Sequence, residues 1–153
     1  MGLDQYLYAK KYTSDSAIFN KAEMFDQLKQ TLGTDVAFLT RELPSISVEM
    51  KVGYWRKSNQ IHQYFVDNCQ DGEDNCREYY VDREKLAELL DLCKQVLADR
   101  SKADELLPSQ SGFFFGSTEY DEWYFSGLTD TVEILENCLK MDDNWEFYYQ
   151  SSW

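Results

Sequence analysis

The sequence predicts an α+β fold: a single domain in which an antiparallel or mixed sheet carries helices packed on one face. Three observations carry this reading. Short segments of alternating apolar and polar residues stand at both ends of the chain and over Ile46–Val52. Longer segments after Asp82 and Asp130 place apolar residues at helical spacing. The 153 residues make one domain, long enough to bury roughly two thirds of the unfolded surface without a metal or disulfide staple.

Leu3 to Tyr12 alternates loosely and is rich in Tyr, which predicts a first strand. Thr13-Ser14-Asp15-Ser16 is a cluster of N-cap residues, and Ile18, Ala22, Phe25, Leu28 and Leu32 follow at helical spacing up to Gly33. Thr34 to Pro44 is a connection. Ile46, Val48, Met50 and Val52 define a half-buried strand that Gly53 ends or bulges. Ser58 can cap a helix through about Asn68, with Ile61, Phe65 and Cys69 inward. Asp71 to Asn75 is a turn and Glu78 to Val81 a short strand. Asp82 then caps the clearest helix, whose stripe is Leu86, Leu89, Leu90, Cys93, Val96 and Leu97. Phe113-Phe114-Phe115 is a short strand or packed loop, and Tyr120 to Phe125 a helical turn. Asp130 and Glu133 resemble a capping box opening a helix with Val132, Leu135, Cys138 and Leu139. Trp145, Phe147 and Tyr149 alternate in a closing strand, a plausible neighbour of the first.

Charge is distributed unevenly. Residues 1–60 hold 8 Lys/Arg against 7 Asp/Glu, whereas the remainder holds 7 against 21, within a net charge of −13. Such a surface argues against direct nucleic-acid binding, which wants a basic footprint, and suits a basic partner. No apolar run approaches a membrane span, and the N-terminal residues lack the basic and apolar regions of a signal peptide. These features predict a cytoplasmic protein with no membrane association and with its four cysteines reduced. Eleven Tyr and four Trp are more than a core needs, so some should face solvent or a ligand.

Two constellations can carry function. The first is Gly53 to His62. Arg56 and Lys57 stand where a helix begins, and cations beside free backbone N–H groups favour an anion such as phosphate. Tyr54 and Trp55 can stack on a base or guanidinium, and Ser58 and His62 share one helix face. The plain alternative is a strand-to-helix junction with solvated charges and a structural histidine. The second constellation is Gln110 to Tyr124, with Phe113, Phe114, Phe115, Glu119, Tyr120, Asp121, Glu122, Trp123 and Tyr124. Aromatics mixed with carboxylates are what a protein uses to grip an Arg- or Lys-rich partner. Its plain alternative puts the three Phe in the core and the carboxylates in solvent.

No cofactor and no metal site is predicted. One histidine cannot supply a His-rich site, and Asp71, Glu73 and Asp74 lack the twelve-residue calcium-loop pattern. There is no nucleophile elbow and no paired-carboxylate signature, so no catalytic residue is assigned.

Three segments together resemble a family of small uncharacterised proteins of tailed bacteriophages and prophages: Met1 to Tyr8, Gly53 to Lys57 continuing through His62 and Phe65, and Gly112 to Tyr124. The resemblance spans most of the chain, keeps the segments in order, and carries over no functional residue. It implies a phage accessory protein in the cytoplasm of the bacterial host. The leading expectation is then a non-enzymatic inhibitor of a host antiviral-defence protein, docking its acidic aromatic surface on a basic, nucleic-acid-binding site. The alternative is a nucleotide-signal binding protein using Tyr54, Trp55, Arg56, Lys57, Ser58 and His62. A third reading, an enzyme with His62 as acid or base, has the least behind it.

Overall fold

The inward face of the first strand is fully covered: Leu3, Gln5, Leu7 and Ala9 are buried, while Asp4, Tyr6, Tyr8 and Lys10 alternate outward. A computed structural model of the chain describes residues 2–13, 30–31 and 46–153. Among the described residues the fold is α+β with an antiparallel sheet. The elements are β1 (Asp4–Thr13), β2 (Ile46–Arg56), α1 (Asn59–Cys69), β3 (Tyr79–Val81), α2 (Arg83–Ala98), α3 (Ala103–Leu106), α4 (Glu122–Lys140) and β4 (Glu146–Ser152). A single 3-10 turn, Arg100–Lys102, joins α2 to α3. The predicted helix from Ile18 lies outside the described residues except for Gln30 and Thr31, which are helical, as does the connection from Thr34.

The chain divides into two compact units, Met1–Lys10 with Glu49–Trp153, and Lys11–Val48. The strand order is β2-β1-β4-β3, so the ends of the sequence form the middle of the sheet. Within the first unit, Leu7 pairs with Tyr149 and Ala9 with Phe147, which places the inward residues of β1 and β4 on the same face. Val81 joins them opposite Phe147.

The helices cover that inner face. Phe65 of α1 stacks on Tyr149 with ring centroids 4.1 Å apart, and Trp55 of β2 meets the Phe65 ring at 6.1 Å. Leu86, Leu89, Cys93 and Val96 of α2 and Leu128, Leu135 and Cys138 of α4 complete the core. Burial pushes the Cys93 thiol up to about 12 and Cys138 to about 11, so both stay protonated. Among the described residues the opposite sheet face is lined with tyrosines. Tyr6 approaches Tyr54 at 5.6 Å and Tyr80 approaches Tyr148 at 5.7 Å, with Lys51 over the Tyr6 ring and Lys10 over Tyr148.

Two elements resolve alternatives that the sequence reading left open, and a third departs from it. Strand β2 continues through Gly53 to Arg56. Lys51 and Tyr54 both contact outward-facing Tyr6, although residues three apart should point to opposite faces. Val52 and Gly53 therefore both turn inward, a one-residue bulge. The triple Phe is a packed loop. The last helix opens at Glu122, well before Asp130, with Asp121 accepting from the Tyr124 N–H. Gly127 serves close packing within the helix: a Cβ there would lie 3.1 Å from Ser58 Oγ.

A Cβ on Gly53 would sit 2.9 Å from Ile134 Cγ2 and 3.1 Å from Leu7 Cβ. Gly53→Ala should therefore lower stability by about 1–3 kcal/mol in denaturant unfolding, the cost of overpacking a close-packed core.

Candidate functional site

Strand β2 leaves the sheet at Arg56, and the turn into α1 is made by Lys57 with φ +57°. The Lys57 N–H donates to the Leu3 carbonyl at 2.8 Å, and the Ser58 carbonyl accepts the first helical N–H bonds, from Ile61 and His62. Asn59, 2% exposed, then clamps the second constellation to the first. Its Nδ2 donates to the carbonyls of Phe115 and Ser117, and its Oδ1 accepts from the Gln110 N–H at 2.9 Å. The Leu3 N–H donates to the Phe114 carbonyl. These bonds bring the two sequence constellations side by side.

Between them lies a cleft of about 540 Å³. One wall is Tyr54 to Gln60, a second is Gly116, Ser117 and Glu119, and the third is the first turns of α4 with Asp121, Trp123, Gly127 and Asp130. Its volume falls within the range of small-molecule pockets, about 300–1,000 Å³. The lining carries both signs of charge. Arg56 and Lys57 are exposed at the start of α1, whose first turn holds no acidic residue. Glu119, Asp121 and Asp130 are exposed across from them. Trp123 is 86% exposed and Tyr54 47%. The Tyr54 hydroxyl donates to Asp4, which holds its phenol above the ordinary range.

The other predicted site residues have different fates. Trp55 is 3% exposed and its indole N–H donates to Thr131 Oγ1 at 2.8 Å, so its ring belongs to the core. Tyr124 is buried and its hydroxyl donates to the Leu107 carbonyl. Phe114 and Phe115 are half-buried, and Phe113, 95% exposed, projects from the loop. The Tyr120 hydroxyl donates to Asp104 at 2.7 Å, and Glu122 pairs with Arg100 at 2.7 Å.

His62 is fully buried and both ring nitrogens are engaged. Nδ1 lies 2.8 Å from the Tyr149 hydroxyl and Nε2 lies 3.0 Å from the Asp74 carboxylate. The Tyr149 hydroxyl donates on to Gln5 Oε1, and Gln5 Nε2 donates to the Ser58 carbonyl at the cleft. Phe115 meets the imidazole edge-on at 5.1 Å, and the Trp153 indole N–H donates to Asp74. The histidine organises a buried polar chain and offers no free nitrogen to a substrate. Among the described residues no cluster of His, Cys, Asp or Glu could hold a metal ion, and no helix is long and apolar enough to cross a membrane.

The sequence reading gave no role to Asn59 and Gln60 within the first constellation and missed Gly127 and Asp130 as members of the site. Asn59 at the first helical position and Gly127 inside an apolar helix were the available signals, since each carries a local cost that tertiary contacts must repay. Comparison with protein-family models, with curated proteins and with solved structures finds no match to this chain.

His62→Ala leaves a cavity in the core, removes one of the two partners of the Tyr149 hydroxyl and should cost roughly 3 kcal/mol of stability in urea unfolding. A pH dependence follows from the same region. Burial holds the Tyr149 phenol well above its ordinary 10.0, and it raises Tyr64 and Tyr124 as well. These groups stay protonated when folded and ionise only on unfolding, so their stabilisation is complete below about pH 10 and is lost as pH rises above it. Tyr149→Phe should flatten that alkaline fall in melting temperature.

Proposed function

We propose that this protein is a non-enzymatic binding protein that docks an acidic, aromatic surface around the start of α4 onto a basic site of a partner protein. In the phage setting that the resemblance implies, the partner is a host protein of antiviral defence, bound at a basic, nucleic-acid-binding surface and thereby inhibited. The observation that carries this reading is the exposure of Trp123, 86%, beside the exposed carboxylates of Asp121 and Glu122 and near Glu119. An indole so placed loses little and gains much when an Arg guanidinium stacks on it, and the flanking carboxylates pair with the same cation. Phe113, 95% exposed, offers a second apolar anchor. The net charge of −13 accelerates encounter with a basic surface and makes it salt-sensitive. An enzymatic reading finds no support in His62, whose nitrogens are both occupied.

The tagged chain should retain a basic protein from bacterial lysate at low salt and release it at high salt. Trp123→Ala should weaken that complex by about 2 kcal/mol, roughly thirtyfold, as removal of a central aromatic anchor does. Glu119→Lys with Glu122→Lys should weaken it at least tenfold. Asp121 is left in place in that variant because it caps α4 through the Tyr124 N–H. Retention unchanged by salt and by both variants would contradict the reading.

A further inference from the structure

The same cleft contains a second feature, one that docking of a basic partner does not use. At the start of α1, four residues able to hold an anion line the cleft. Arg56 and Lys57 form no ion pair with the described residues, although Arg56 lies beside the Tyr54 hydroxyl. Ser58 occupies the cap position, yet its hydroxyl makes no capping bond. Gln60 is the most telling. It is 4% exposed, lines the cleft, and its amide makes no hydrogen bond to the described residues. Its Nε2 lies near Gly127, 3.7 Å from where a Cβ there would stand, so the amide reaches toward the cleft wall formed by α4.

The side chain of Gln60 is held by its buried stem while its unpartnered amide stays accessible at the cleft wall, a donor ready for an acceptor bound there. Here the acceptor would also meet two cations and the positive end of an 11-residue helix with no acidic residue in its first turn. The rest of the cleft adds what a bare ion would not use. Trp123 and Tyr54 offer flat, exposed faces for a ring, and Glu119 and Asp130 offer acceptors for ring N–H donors. The volume of about 540 Å³ has room for both parts of such a ligand.

We propose that this cleft binds a nucleoside monophosphate group, free or within a small nucleotide signal. Arg56, Lys57, Ser58 and Gln60 hold the phosphate, and Trp123 carries the base. The carboxylates of Glu119, Asp121 and Asp130 limit the charge the cleft accepts, so a single phosphate is preferred over a triphosphate.

The test is isothermal titration of the full chain at low salt with AMP, GMP, CMP, UMP, ATP and inorganic phosphate. At least one monophosphate should bind ten times or more tightly than inorganic phosphate and more tightly than ATP. Lys57→Asn, which keeps a residue tolerant of the positive φ, and Gln60→Met should each weaken that monophosphate at least fivefold. Trp123→Ala should weaken it while leaving inorganic phosphate unchanged. Lys57 is exposed, so its variant reads out binding even if Gln60→Met fails to fold. No binding of any monophosphate at millimolar concentration would overturn the proposal. So would a monophosphate no tighter than inorganic phosphate, or affinity unchanged in Lys57→Asn.

Discussion

A buried chain of hydrogen bonds is the constraint around which the cleft is arranged. It runs from the Asp74 carboxylate through His62, the Tyr149 hydroxyl and the Gln5 amide to the carbonyl of Ser58. Each member is a polar group that would be expensive to bury alone, so each is tolerated only because the next is in place. The chain ties α1 to the two central strands and to the turn after α1. Phe115 and Trp153 close over it, so the phenylalanine loop is seated by the same histidine. A network of this kind fixes register: a one-residue slip of β1 against β4 would move Gln5 to the opposite face of the sheet and away from Tyr149.

The cleft is a consequence of that arrangement. Ser58 is held from below by Gln5, Asn59 pins residues 110–117 beside it, and Gly127 lets α4 approach without a side chain in the way. The result places cations from a near-neutral N-terminal part opposite carboxylates from a strongly acidic remainder. A surface with both signs discriminates by geometry as well as by charge, because a ligand of either sign meets repulsion unless its groups match. The exposed aromatics then supply contact area that neither sign alone would provide.

Much of the fold was legible because it rests on periodicity. The alternation over Leu3–Tyr12 and Trp145–Tyr149 and the stripe from Leu86 to Leu97 correspond to β1, β4 and α2. The start of α4 was hidden because Ser126 and Gly127 are weak helix formers, and Gly127 is explained by its packing against Ser58. The neighbourhood of the two constellations was not derivable, since bonds between residues more than 50 positions apart leave no local mark. Nor could the sequence distinguish Trp55 from Tyr54: both follow Gly53, but the bulge turns one into the core and the other to the surface. His62, which attracted a chemical reading as the one histidine, is spent on structure.

The most direct measurement is amide hydrogen exchange of the chain alone and in complex with its captured partner, followed by mass spectrometry. A recognition surface built by both constellations predicts new protection at residues 55–60 and at residues 116–130 together, with the tyrosine face of the sheet at Tyr6, Tyr8, Tyr80 and Tyr148 unchanged. Protection confined to that tyrosine face, with both cleft segments exchanging as in the free protein, would contradict it.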